Sequence, residues 1–169
     1  MRTRDATPAD ADAIRTVHYR AIEELGPRAY SREQVDAWAE GCESADYVSA
    51  IEANEREFIV AELDGEVEAF GSLKLLPPDG YEADVDAEVT GVYVHPSAVR
   101  RGVGTSVYSE LERRARTHNV RTLGLSASLN AVSFYEARGY VRVREYTHEF
   151  SGHESTGVTG TVVEMKKEL

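Results

Sequence analysis

The sequence holds 169 residues, with 30 acidic against 19 basic side chains and a net charge of -11. That length suits one domain with a full core, 1–169, and is short for two; the charge disfavours nucleic acid or an anionic membrane as partner. No apolar run approaches the ~18 residues of a membrane span, and MRTRDATPAD lacks the apolar segment of a signal peptide, so a cytoplasmic protein is expected.

In chain order, Arg2 to Asp5 reads as a first strand. Thr7 then caps a helix, with Pro8 at its first position and Asp10 at capping-box spacing. Ile14, Val17, Ala21 and Leu25 give its buried face, and Gly26-Pro27 stops it. Ser31 caps a second helix, Gln34 completes the reciprocal pair, Val35 and Trp38 point inward, and Gly41 closes it. The lone Cys42 shares helical spacing with Val35, Trp38 and Ala39; it rules out an intrachain disulfide and reads as packing.

Glu57 to Leu63, Asp64-Gly65 and Glu66 to Leu75 form a hairpin signal, because Asp-Gly supplies the positive φ angles of a tight turn. Pro77-Pro78-Asp79-Gly80 breaks the second strand, and YEADVDAE follows as an acidic, exposed connection to a strand over Val89 to Val94. His95-Pro96 ends that strand. A glycine-bearing turn, Arg100 to Gly104, leads into a helix whose stripe is Val103, Val107, Leu111 and Ala115. Val120 to Leu125 is a strand, and Asn130 to Arg138 a short helix ended by Gly139. Tyr140 to Phe150 and Gly160 to Met165 are two antiparallel strands joined by SGHESTGVTG. The order is β-α-α-β-β-β-α-β-α-β-β, in a mixed α/β (α+β) class.

The turn at Arg100 to Gly104 is the chemical centre of the sequence. The first turn of a helix exposes amides without intrahelical acceptors, and Gly102 and Gly104 carry no side chain to hold a ligand off that backbone. With Arg100 and Arg101 beside it, the turn suits a pyrophosphate. A Walker A loop requires Lys after its last glycine, whereas Thr105 follows Gly104 here; a dinucleotide fingerprint belongs in the first βα unit and needs a third glycine.

The window Val99, Arg100, Arg101, Gly102, Val103, Gly104, after a strand ending Val94-His95-Pro96, resembles the acetyl-CoA-binding motif Q/R-x-x-G-x-G/A of the GNAT N-acetyltransferase superfamily. Val99 departs from it, standing where the family carries Gln or Arg, so one side-chain donor near the pyrophosphate is missing. The run NAVSFYEARGY resembles the family's N-x-x-A-x-x-F-Y-E-x-x-G-F, YSREQVDAW looks like the second helix of many small bacterial and archaeal members, and the element order matches along essentially the whole chain. Three lysines (Lys74, Lys166 and Lys167) against sixteen arginines on an acidic background suggest a haloarchaeal, halophilic member.

The resemblance implies a mixed sheet of six to seven strands flanked by about four helices, and an acetyl-CoA-dependent N-acetyltransferase moving acetyl directly to a primary amine. It places the pyrophosphate on Arg100, Arg101, Gly102, Val103, Gly104 and Thr105. The pantetheine arm falls along Val92, Tyr93 and Val94, with Asn130 bonding that arm or a water. A bulge and a strand splay are implied near Gly91 and Gly124.

Transfer to an amine needs a base for the amine, a donor for the thioester oxygen and an acid for the thiolate. The family's positions for base and acid fall on Glu88 and Tyr135. Taken alone, Glu88 is equally one surface charge beside Glu82, Asp84 and Asp86, Tyr135 a core aromatic beside Phe134, and Asn130 an N-cap. His18, His95, His118, His148 and His153 show no metal-ligand spacing, so no metal is expected, and they read as surface or loop residues.

The acceptor is a small-molecule or peptide amine of open identity. A homodimer is common among such folds, although no feature of the sequence specifies its interface. A non-catalytic acyl-CoA-binding or regulatory domain is the competing reading, favoured by Val99, and a nucleotide-binding protein using the same turn is a third.

Overall fold

The computed structural model describes residues 1–150 and 155–169. Its elements run β1 (Arg2–Asp5), α1 (Ala11–Leu25), α2 (Arg32–Ser44), α3 (Tyr47–Glu52), β2 (Arg56–Leu63), β3 (Glu66–Lys74), β4 (Ala87–Val94), α4 (Val103–Thr117), β5 (Thr122–Ser128), α5 (Val132–Glu136), β6 (Val141–Glu149) and β7 (Thr159–Glu168). His153 lies outside the described residues.

The strands form one sheet of seven, in the order β1-β2-β3-β4-β5-β7-β6. Phe58 to Ala61 on β2 and Ala69 to Leu73 on β3 are buried without alternation, the mark of strands covered on both faces. Helix α4 covers one face: Val103, Val107, Leu111 and Ala115 are each at most 1% exposed and pack with Ile59, Ala61, Ala69 and Leu73. On the other face Ile14 and Val17 of α1 meet Phe58, Val60 and Phe70, while Ile22, Val35 and Cys42 form a second cluster with Tyr30 and Phe150. Full burial of an aliphatic side chain contributes about 1.5–3 kcal/mol, so these stripes fix the layers.

The local signals in the sequence become geometry at both helix starts and at the hairpin. Asp10 Oδ2 accepts from Thr7 N at 2.8 Å, and Gln34 Oε1 accepts from Ser31 N at 2.8 Å, closing two capping boxes. Asp64 and Gly65 have φ of 51° and 83°, the paired positive values of a tight hairpin. Burial pushes the Cys42 thiol up to about 11, in keeping with a packing role.

Four details differ from the sequence expectation. Among the described residues the α-helices number five, because Asp46 accepts from Ser49 N at 3.0 Å and caps the additional turn α3; six residues are too few to show a helical period. Helix α2 runs through Gly41 to Ser44, so that Cys42 is buried at 1% exposure. Ile22 takes the core position expected of Leu25. The acidic connection is not simply exposed: Val85 is buried, the amides of Glu82 and Ala83 donate to the buried Glu164 carboxylate at 2.9 and 2.8 Å, and Asp86 accepts from Arg121 N at 2.9 Å.

One break in the sheet positions everything that follows. All neighbouring strands are antiparallel except β4 and β5, which are parallel and register only at Ala87 with Leu123 and Glu88 with Gly124. Beyond Glu88 the two strands diverge. A register shift opposite Ser72 and Leu73 leaves Thr90 as the extra residue of a bulge on β4.

Candidate active site

The splay between β4 and β5 opens two cavities that meet at Tyr135. The first, about 370 Å³, is bounded by Val92 to Val94 of β4, the turn residues Val99, Arg100 and Gly102, the start of α4, and Asn130, Phe134 and Arg138 around α5. The second, about 330 Å³, holds Glu88, Tyr81, Ser126 and Tyr146. Trp38, Val92, Tyr93, Ser128, Ala131 and Tyr135 line both.

At the mouth of the first cavity, Arg100 and Gly102 adopt φ of 63° and 78°, and the first intrahelical bond of α4 is Ser106 N to Gly102 O at 3.0 Å. The amides of Val103, Gly104 and Thr105 therefore precede the first helical acceptor and remain available to a ligand. A Cβ on Gly104 would stand 2.9 Å from Val94 Cγ2, so glycine keeps the cradle open. Thr105 lines the cavity as well, whereas Arg101 is exposed and does not.

The sequence reading missed Arg138. Its guanidinium lies 3.9 Å from the Phe134 ring centroid, Nη1 donates to Phe134 O at 2.8 Å, and Nη2 donates to Thr105 Oγ1. This arrangement sets a cation against the N-terminus of α4. Arg138 Nε and Asn130 Oδ1 are buried without partners among the described residues, and both residues line the first cavity. The i, i+4 spacing of Phe134 and Arg138 was a readable signal for the cation over the ring.

Tyr135 is 5% exposed, with its ring packed edge-on to Phe134 and Tyr140. Burial pushes its phenol well above the usual range, with the Val92 backbone opposing the shift, so the hydroxyl stays protonated at physiological pH. Glu88, on β4 at the last registered pair before the splay, accepts from Tyr81 OH through Oε2. Ser126 Oγ donates to Tyr81 OH at 3.1 Å and is bonded in turn to Tyr146 OH. Desolvation and then the Glu88 carboxylate push the Tyr81 phenol upward, which keeps it a donor. Tyr81, Ser126 and Tyr146 carried no sequence signal, because only the fold brings loop, β5 and β6 together.

The histidines divide. His18 is not a surface or loop residue: it sits half-buried on α1 against Tyr93, at a centroid distance of 4.3 Å, and burial lowers its pKa to about 4. His95 caps the turn after β4, His118 ends α4, and the exposed His148 lines the second cavity. Among the described residues there is no cluster of three or more metal-ligating side chains, and no helix is long and apolar enough to cross a membrane.

The acetyltransferase (GNAT) family model matches residues 19–140. A GCN5-related N-acetyltransferase from Rhodopseudomonas palustris superposes with a TM-score of 0.82 at 30% identity, over 99% of this chain and 95% of that one. PaiA N-acetyltransferase from Thermoplasma acidophilum, solved in complex with coenzyme A, gives 0.76 at 18% identity over 99% and 98% of the two chains. The ribosomal-protein-alanine N-acetyltransferase of Brucella melitensis gives 0.66 at 22% identity over the full length of both. No curated protein matches the chain in sequence.

Proposed function

The chain belongs to the GNAT acetyltransferase family, and from that premise we propose that it is an acetyl-CoA-dependent N-acetyltransferase, built as one domain, that transfers acetyl directly to a primary amine in a ternary complex. The carrying observation is the junction itself: Tyr135 lines both cavities, with the α4 amides and Arg138 on one side and Glu88 on the other.

The first cavity fits coenzyme A on its own chemistry. Free amides of Val103, Gly104 and Thr105, together with Arg100 and Arg138, suit a pyrophosphate; the unpartnered Asn130 Oδ1 and the open edge of β4 beyond Glu88 suit the amides of a pantetheine arm. Arg101 reaches the phosphates only from outside the cavity wall and has the weakest claim of the turn residues. Arg138 takes over the role left empty by Val99, which is itself exposed at the turn.

Acetyl-CoA supplies an activated thioester. Glu88 holds the incoming ammonium and removes its proton through Oε1, while Tyr81 fixes the carboxylate by its bond to Oε2. The β4 backbone at the splay donates to the thioester oxygen as it gains charge. Tyr135, neutral and buried, donates its proton toward the departing sulfur, which avoids placing a charged acid in an apolar wall.

Calorimetric titration of acetyl-CoA, followed by thiol release with an amine panel on the same sample, tests the reading; absence of binding refutes it. Val99 keeps a second reading in view, an acyl-CoA-binding domain without turnover, and binding with no thiol release from any amine would select it. The acidic, Lys-poor composition supports a high-salt setting, tested by a melting temperature that rises in molar KCl. A homodimer is tested by sedimentation at the same salt.

A further inference from the structure

We propose that the acceptor is a primary amine on an apolar, aromatic-sized body that carries no carboxylate or phosphate; the inference rests on the acetyltransferase reading and names the substrate class of its second cavity. Tyr81, Ser126 and Tyr146 engage their hydroxyls with one another and with Glu88 Oε2, so the two tyrosines present chiefly their rings to a ligand. Phe150 and Trp38, stacked at 5.8 Å and 19°, continue the aromatic wall.

Against these rings stands one carboxylate, Glu88. Its Oε1 has no protein donor among the described residues, while Oε2 is held by Tyr81. An ammonium thus finds a free anionic acceptor flanked by aromatic faces, both of which favour a cation.

Among the described residues, no Lys or Arg lines the second cavity. Arg144, whose guanidinium lies 4.7 Å from the ring centroid of the cavity residue Tyr146, is committed: Nε donates to Glu164 Oε1 at 2.9 Å and Nη2 donates to Gly80 O at 2.7 Å. His148 is exposed at the cavity wall and packs edge-on to Phe150. A substrate carboxylate would enter beside Glu88 with no Lys or Arg among the described lining residues to pair its charge, within a chain already at -11. An amino acid or a phosphorylated amine is therefore rejected, and a bare arylalkyl amine fits.

The test compares matched pairs. After calorimetry has established acetyl-CoA binding, thiol release is measured with phenethylamine against phenylalanine, tyramine against tyrosine, propylamine, and a short peptide with a free N-terminus. The expected result is a kcat/KM for phenethylamine and tyramine at least about tenfold above each alternative, the range that one unpaired buried charge or one lost apolar body commands. His148→Arg, an exposed substitution that adds a cation to the cavity wall, should narrow the phenethylamine to phenylalanine ratio severalfold. Equal or better use of the carboxylated partner, or a preference for the peptide, overturns the acceptor assignment and leaves acetyl transfer intact. Failure to bind acetyl-CoA overturns the reading beneath it.

Discussion

Arg138→Ala separates the proposed phosphate clamp from the fold that carries it. In the folded chain the guanidinium is held by Phe134 O, the Phe134 ring and Thr105 Oγ1, and its Nε is buried without a partner. A hydrogen bond to a charged group contributes about 1.5–3 kcal/mol, and each ~1.4 kcal/mol is tenfold in affinity. Loss of a phosphate contact from Arg138 should thus raise the acetyl-CoA Kd by about 10- to 150-fold. The cation over the ring contributes about 0.5–1 kcal/mol to stability, a shift of about 1–4 °C in Tm for a chain of this size. Calorimetry at low and at molar KCl reads the first quantity and a thermal melt the second. Arg138→Lys should retain part of the affinity, more at low salt, since it keeps the charge and loses the fork. Adding Val99→Arg to the Arg138→Ala chain should restore part of the binding by returning a donor to the turn. A Kd for Arg138→Ala within about twofold of the parent, with the fold intact, would refute the assignment.

Tyr135→Phe should leave acetyl-CoA affinity nearly unchanged while kcat falls by about 10²–10⁴-fold, the usual contribution of a positioned acid; calorimetry and single-turnover thiol release separate the two. Glu88→Gln should lower kcat/KM at neutral pH, with partial recovery at alkaline pH as more of the free amine arrives unprotonated, and a flat, parent-like pH profile would exclude the base role. Gly104→Ala should weaken acetyl-CoA binding by tenfold or more with little change in Tm, because the new Cβ would stand 2.9 Å from Val94 Cγ2, while alanine improves helix propensity by up to ~1 kcal/mol. Glu164→Gln sets an amide NH₂ against one of the Glu82 and Ala83 amides, costing about 1–3 kcal/mol for an unmet buried donor. Desolvation raises the Glu164 pKa, but the Ala83 and Glu82 amides and Arg144 outweigh it, so the net shift is downward. Its stabilising contribution is accordingly present above the ordinary carboxylate range and lost as pH falls through the depressed value. The parent should lose that part of its Tm on acidification, and Glu164→Gln should show a flatter acid limb.

What the sequence disclosed and what it withheld follow from the range of the interactions. Capping boxes at Thr7 and Ser31, the Asp64-Gly65 turn and the α4 stripe are decided within a few residues, so their signals survive without the fold. The phosphate turn is local too, since its donors are successive amides. The second cavity is not. Its hydroxyl relay joins Tyr81 to Ser126 and Tyr146 across 45 and 20 residues, and the loop bearing Tyr81 is held by Glu164 across 82. No window of the chain contains both ends of those bonds, so YEADVDAE showed only its charge and Glu164 only its place in a strand. Arg138 lies between the two cases: its contacts with Phe134 are four residues apart and legible, but the reason for them, Thr105 on the facing helix, is 33 residues away. Val99 is visible within the turn's own sequence, whereas Arg138, the cation we propose to compensate for it, comes from a separate element. A motif position empty in sequence is a deficit of the site only when no side chain from a distant element serves the same ligand, and Arg138 is the residue we propose for that role.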